Sequence, residues 1–389
     1  MNHPKDLKNT LLNESKTLLG VGPMSVNLTD VVIDISNKYS IPIQLIASRR
    51  QVESKEYGSG YVNNWSTEEF SNYVKSKDNK SMIFLSRDHG GPWQNYLEVD
   101  DNLNLDDALE NAKSSFKTDI LNDFKFIHID PSVDIHGEVS NKQIMDRVLD
   151  LYGYCIELAK EHNKEIFIEV GTEEQKEGLN QIDEVKENID TLKSYCKENG
   201  YPLPYFYVVQ NGSKVKETEN TGIFQNLNLK NFNNDEGIIQ INKITDLCLS
   251  ESILPKAHNS DYLNYETSSI YPKINLKGGN IAPEFGVLET RIIVLILQKY
   301  NLLNELNEFL EISHKSNKWQ KWLKKDSTAT DFDKAIIAGH YIFSNQSFIE
   351  LKEKIDYKLK KSKLNLDNEI KSVLQGSINN YLSAYGWNI

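Results

Sequence analysis

The feature that most constrains this chain is a repeated alternation. Short apolar runs are separated by longer amphipathic stretches, about eight times over. The runs are Thr17–Met24, Ile43–Ser48, Met82–Ser86, Phe126–Asp130, Ile166–Val170, Tyr205–Gln210, Ile253–Ala257 and Ile274–Lys277. They are rich in Ile, Val, Phe and Tyr, as strands buried on both faces of a parallel sheet are. Between them the spacing changes to that of helices. Ile144, Val148, Leu151, Cys155 and Leu158 recur at steps of three and four and form one apolar stripe. Ser66 with Glu69 three residues on reads as a capping box that opens another helix. Asp106 to Ile120 and Ile182 to Tyr195 follow the same pattern.

Strand and helix alternating in this way predict an α/β fold. About eight units over the first 280 or so residues suit a closed (β/α)8 TIM barrel. A doubly wound open sheet is the alternative. Neither a GxGxxG after the first strand nor a GxxxxGK[ST] is present to support it. After Lys277 the pattern becomes wholly helical, with a long apolar stretch Val287 to Phe309 and a charged tail from His314 to Ile389. The reading is a barrel over 1–310 and a helical C-terminal extension over 311–389.

Composition narrows the partners. A net charge of −12 repels nucleic acid and anionic membranes. No run of 18 apolar residues could span a bilayer. The polar segment Met1 to Lys16 lacks the apolar core of a signal peptide. Cys155, Cys196 and Cys248 are scattered and form no CxxC, so neither a disulfide framework nor a thiolate metal site is expected. The expectation is a cytoplasmic protein, a homo-oligomer, acting on a small molecule with no nucleic acid and no membrane.

Barrels place chemistry where strands end. Here the strand ends read Arg87-Asp88-His89-Gly90-Gly91-Pro92, His128-Ile129-Asp130, Glu169-Val170-Gly171-Thr172-Glu173, Gln210-Asn211-Gly212, Ala257-His258-Asn259-Ser260-Asp261 and Gly278-Gly279-Asn280. Two histidines, a glutamate and an amide from different strands can converge on one divalent ion. Imidazole and carboxylate donors suit Zn²⁺ first, and Mn²⁺ or Co²⁺ as alternatives. Such an ion acts as a Lewis acid on a carbonyl or enediolate. Asp88 stands beside it as a proton-transfer group. His128 and Asp130 share one strand face. They read either as interior barrel residues bonded to each other or as part of a site. His136 reads as a loop residue. The backbone of Gly278, Gly279 and Asn280 can hold a phosphate or simply make a tight turn. Arg49, Arg50 and Arg87 follow strands and can pair with a phosphate or carboxylate, or with a rim carboxylate of the barrel itself. Asn211, Asn259 and Asp261 complete the polar groups available to a substrate.

At these residues the sequence resembles the GatZ/KbaZ-like family, named for the partner subunit of class II tagatose-bisphosphate aldolase. The segments Ala47-Ser48-Arg49-Arg50-Gln51-Val52, Gly60-Tyr61, Asp88-His89-Gly90-Gly91-Pro92, Ile127-His128-Ile129-Asp130, Gly171-Thr172-Glu173, Val208-Val209-Gln210-Asn211-Gly212 and Ala257-His258-Asn259-Ser260-Asp261-Tyr262 occur in the same order. Weaker similarity runs through Trp319–Trp322 and Tyr381–Gly386. The resemblance implies a barrel with helical additions and kinship to class II aldolases. It implies Asp88 as acid/base and His89 and His258 as metal ligands. Gln210 stands where those aldolases carry a third histidine. Glu173 fits the family's Gly-Thr-Glu, as a catalytic group, and Glu169 fits a Glu-aliphatic-Gly pattern, as a ligand. Arg87 replaces the Gly of the family's Gly-Asp-His, which implies a different substrate.

The resulting expectation is a metal-dependent, class II aldolase-like lyase or sugar 4-epimerase acting on a ketose phosphate or related sugar acid. The alternative is a non-catalytic subunit that stabilises a separate class II aldolase catalytic subunit. A sugar-binding or capsule-assembly protein without chemistry is the third reading.

Overall fold

The structure, a computed structural model, describes residues 3–172, 181–225 and 227–389. Eight parallel strands close into a barrel. They are β1 (Leu18–Val21), β2 (Ile43–Ser48), β3 (Ile83–Gly90), β4 (Phe126–Ile129), β5 (Phe167–Val170), β6 (Phe206–Val209), β7 (Leu254–Ala257) and β8 (Gly278–Ile281). Closure is made by β8 on β1, with Leu18 opposite Gly278 and Val21 opposite Ile281. The predicted stripe Ile144, Val148, Leu151, Cys155 and Leu158 is buried along the helix Asn141–Glu161. Ser66 and Glu69 form the predicted capping box at the start of Thr67–Lys77.

Inside the barrel, alternate residues of each strand meet in layers. The lower layer is aromatic, with Phe84, Phe167 and Phe206 around Phe126 at ring separations of 5.8, 5.7 and 6.1 Å. The next layer is ionic. Lys256 on β7 reaches Glu169 on β5 at 2.8 Å and Gln44 on β2 at 3.0 Å, all of them buried. Above that layer lie the side chains of the strand ends.

The eighth strand is one turn of chain later than the sequence suggests. Tyr271–Ile274 is a 3₁₀ turn, ended by Asn275 in the left-handed region (φ 59°), and the strand itself is Gly278–Ile281. Gly278 and Gly279 are therefore strand residues hydrogen-bonded to β1 and β7, not a phosphate-binding loop. The reason is close packing. A Cβ on Gly278 would lie 2.8 Å from the Lys256 stem, and one on Gly279 would lie 2.4 Å from the Tyr385 hydroxyl. Glycines chosen for close approach carry no strand signal.

Arg49 and Arg87 also sit elsewhere than expected. Both are buried behind the barrel wall. Arg87 makes a two-pronged pair with Asp119 at 2.8 and 2.6 Å and donates to the carbonyls of Ala47 and Val52. Arg49 pairs with Glu53 at 2.6 Å and Glu98 at 2.7 Å and donates to the Gly91 carbonyl. Guanidinium groups buried and paired with carboxylates in this way are turned away from any substrate in the cavity. The added arginine of the Arg-Asp-His sequence stabilises the wall and leaves the substrate unspecified.

The helix Pro4–Asn13, read in the sequence only as a polar segment, lies across the lower end of the barrel. It buries Leu7 and Leu11, and the Tyr205 hydroxyl donates to the Pro4 carbonyl at 2.7 Å. At the other end of the chain, Leu366–Ala384 packs on Val26–Tyr39 and on Pro283–Lys299, the helix that follows β8, and Leu303–Lys315 packs on Pro283–Lys299. Glu289 on Pro283–Lys299 accepts from Ser25 and Asn27, which begin the first barrel helix, Val26–Tyr39. Among the described residues no helix is long and apolar enough to cross a membrane.

Two measurements check this packing. Breaking the buried Arg87–Asp119 pair with Asp119→Ala should cost about 3–5 kcal/mol in urea unfolding, while the paired change Arg87→Met with Asp119→Leu should recover most of it. Burial raises the Glu289 pKa to about 7, from 4.5. A raised carboxyl pKa makes the native state hold the proton that the unfolded chain releases. Stability should therefore fall as pH rises from about 4.5 to 7, by up to about 3 kcal/mol, and that part of the pH dependence should vanish in Glu289→Gln.

Candidate active site

The upper mouth of the barrel opens into a cavity of about 550 Å³, within the range of small-molecule sites. The end of β3 supplies two of its residues by an irregularity. Regular alternation would put Arg87 and His89 on one face and Asp88 on the other. The register between β3 and β4 shifts between Arg87 and Gly90, and His89 takes φ 45°. A bulge of this kind re-aims a side chain. Arg87 turns outward, while Asp88 and His89 both line the cavity.

Three imidazoles meet there. His89 lies at the end of β3, His128 lies on β4 and His258 follows β7. Their ring centres are 4.9–5.3 Å apart, and one nitrogen from each lies within 4.8 Å of the others. Asp88 sits over the group, with its carboxylate 3.6 Å from His128, 3.8 Å from His89 and 4.0 Å from His258. Burial opposes the Asp88 charge, but the three imidazoles outweigh it and hold the pKa well below the usual carboxylate range.

Each ring is held from behind. Asp130 accepts from His89 Nδ1 at 2.7 Å and is itself fixed by Ser132. That bond leaves His89 Nε2 facing Asp88. Glu169 bonds His258 Nε2 at 3.0 Å. Burial opposes the Glu169 charge too, yet the Lys256 ammonium and His258 bring its pKa down to about 2. His128 Nδ1 accepts the backbone N–H of His89 at 3.1 Å. Its Nε2 is buried without a hydrogen-bond partner among the described residues, against Gly171, where a Cβ would stand 2.3 Å away. The glycine of Gly171-Thr172 thus clears the space that His128 occupies.

Three imidazoles, two of them backed by carboxylates, match the donor set and outer support of a divalent metal site with an open position. Zn²⁺ takes imidazole nitrogen at 2.0–2.1 Å. The orphaned His128 nitrogen and the collected lone pairs are the structural signs that the residues fit such an ion.

The remaining expected residues divide. Gln210, Asn211, Asn259, Asp261 and Asn280 line the same cavity as Asp88 and His89. Asn280 donates to Asp88 at 3.4 Å. Asp261 is tied to the N–H groups of Ala282 and Glu284, both at 2.9 Å, and so caps the helix Pro283–Lys299; burial and Glu284 push its pKa to about 7. Glu169 lies one layer below the cluster and orients His258 instead of joining the donor atoms. Glu173 lies outside the described residues. His128 and Asp130 do not bond to each other. Both serve His89, and His128 is the third imidazole that the sequence reading left open. Its signal was the inward phase it shares with Asp130 on β4.

No protein-family model and no curated protein matches the sequence. Solved structures do match the fold. A probable tagatose 6-phosphate kinase from Sinorhizobium meliloti superposes with a TM-score of 0.70 at 13% identity, over 95% of this chain and 100% of that one. The fructuronate-tagaturonate epimerase from Cohnella laeviribosi gives 0.59 at 7% identity, over 96% and 82%. The fructose-bisphosphate aldolase from Campylobacter jejuni gives 0.52 at 11% identity, over 97% and 94%. At these identities the likeness is one of fold: this chain is a (β/α)8 barrel with helical additions, built as those three proteins are.

Proposed function

We propose that this chain is a metal-dependent sugar enzyme of the class II aldolase type. It performs retro-aldol chemistry on a ketose phosphate or related sugar acid, ending in cleavage or in 4-epimerisation. The observation that carries this reading is the cluster of His89, His128 and His258 with Asp88 set over it. The likeness in fold to proteins named as an aldolase and a sugar-acid epimerase supports it.

The three imidazoles would hold a divalent ion, Zn²⁺ or else Mn²⁺ or Co²⁺, which supplies Lewis-acid polarisation of a substrate carbonyl. The protein's own groups do the rest. Asp88, kept ionised by its surroundings, accepts a proton from a substrate hydroxyl and returns it. Asn280 steadies that carboxylate. Asp130 and Glu169 fix the ring orientations of His89 and His258. Gln210, Asn211 and Asn259 offer amide groups to sugar hydroxyls, and Glu173, on the chain after β5, is the second proton-transfer candidate. Release of both fragments gives lysis, and re-addition on the opposite carbonyl face gives epimerisation.

The non-catalytic alternative was motivated by Gln210 in place of a histidine. With His128 beside His89 and His258, the count of imidazoles is three without that position, and the motive weakens. Turnover by the isolated chain separates the two readings.

The decisive experiment is a screen of ketose phosphates and hexuronates with added Zn²⁺, Mn²⁺ or Co²⁺, alongside metal analysis of variants. His89→Ala, His128→Ala and His258→Ala should each lose bound metal. Equal metal content in all of them would sink the proposal. Asp88→Asn should keep its metal while turnover falls roughly 10²–10⁴-fold, and added metal should not restore it. Asp130→Asn should weaken metal affinity by about 10–100-fold through His89, with activity recovering in excess metal.

A further inference from the structure

Beyond the imidazole cluster, the cavity has a second set of charges at its rim. Arg50, from the loop after β2, and Lys321, from the C-terminal helical segment, both line it. Unlike Arg49 and Arg87, neither has a carboxylate within 4 Å among the described residues. The Arg50 guanidinium lies over the Tyr96 ring at 4.6 Å, donates its Nε–H to the Gln94 carbonyl at 3.1 Å and also bonds the Tyr96 side chain. The Lys321 ammonium lies over the Trp322 ring at 4.6 Å and 5.7 Å from the centre of Tyr341.

The placement of Lys321 is built. A short antiparallel hairpin after β6, Lys214–Lys216 with Glu219–Thr221, clasps the 3₁₀ turn Gln320–Trp322. The Glu217 N–H donates to the Trp322 carbonyl at 2.7 Å, and Lys216 donates to the Lys321 carbonyl. Trp322 in turn donates to the Tyr341 hydroxyl at 3.1 Å. Counted over the whole residue Lys321 is exposed, but its ammonium end is crowded. The surrounding protein, then Arg50 and Lys318, lower its pKa to about 7. Two basic groups held near each other, with no carboxylate within 4 Å among the described residues, gain charge at a cost that an anion beside them would offset.

We propose that Arg50 and Lys321 form an anion subsite at the outer end of the cavity, which takes the phosphate monoester or carboxylate of a sugar whose carbonyl faces the imidazole cluster. The identity of the ligand as a sugar rests on the proposed function; the subsite itself rests on the two cations. Arg50 offers its remaining N–H groups as a fork and Lys321 adds a point charge, a pairing suited to either anion. The C-terminal segment thereby contributes a specificity-determining residue to the barrel.

The test is calorimetric titration of the chelator-treated full chain with inorganic phosphate, a hexuronate and a neutral hexose. At least one anion should bind, and the neutral hexose at least tenfold more weakly. Arg50→Gln and Lys321→Gln should each weaken the preferred anion about tenfold or more, whereas Lys321→Arg should stay within about threefold. The tighter anion identifies the phosphate or carboxylate source. A wild-type chain that takes up no divalent metal yet binds an anion through Arg50 and Lys321 overturns the proposed function and not the subsite. Wild-type protein that binds neither anion, or binds equally well after both Gln changes, overturns the subsite. Matching thermal melts of Lys321→Gln and Lys321→Arg exclude misfolding as the cause of a loss.

Discussion

Much of the site hangs on one ion pair in an unusual place. A barrel interior is ordinarily filled by layers of branched apolar side chains. Here Lys256 and Glu169 face each other across it, shielded from water by the phenylalanine layer below. A buried pair survives only when its other hydrogen-bonding capacity is taken up. Gln44 takes one Lys256 proton and His258 takes the second Glu169 oxygen. Satisfying the ion pair and aiming His258 are thus the same act. β2, β5 and β7 are joined through their side chains as well as through the sheet.

The architecture was legible because a repeated alternation of two periods has few solutions, and a closed barrel is one of them. The stripe on Asn141–Glu161 and the capping box at Ser66 are local signals that tertiary packing had no reason to override. The eighth strand was misplaced because its first two residues are glycines, set by the crowding of Lys256 and Tyr385 and not by strand propensity. The helix Pro4–Asn13 escaped notice because Leu7 and Leu11 are only two apolar positions, too few to stand out from a polar segment.

The site was legible in part. Asp88, His89 and His258 carried the signal of titratable groups at strand ends, and the structure brings them together. His128 was ambiguous because an inward-facing polar residue in a barrel looks the same whether it fills space or works. Only the positions of the other two rings decide. The arginines failed for a related reason. A sequence shows that Arg49 and Arg87 follow strands, but the choice between wall and cavity depends on Glu53, Glu98 and Asp119, which come from distant parts of the chain.

The helix laid across the lower end of the barrel has a kinetic consequence. Pro4–Asn13 and the phenylalanine layer close that side, so among the described residues the well opens at the upper mouth. Whatever enters first leaves last. Under the proposed retro-aldol chemistry, a fragment formed deep in the well would have to wait for its partner at the rim to leave, so geometry would set the order of departure before affinity did. Retention of an inner fragment, which the epimerase form of that proposal requires, would then be a property of the closed end of the barrel as much as of the reacting groups.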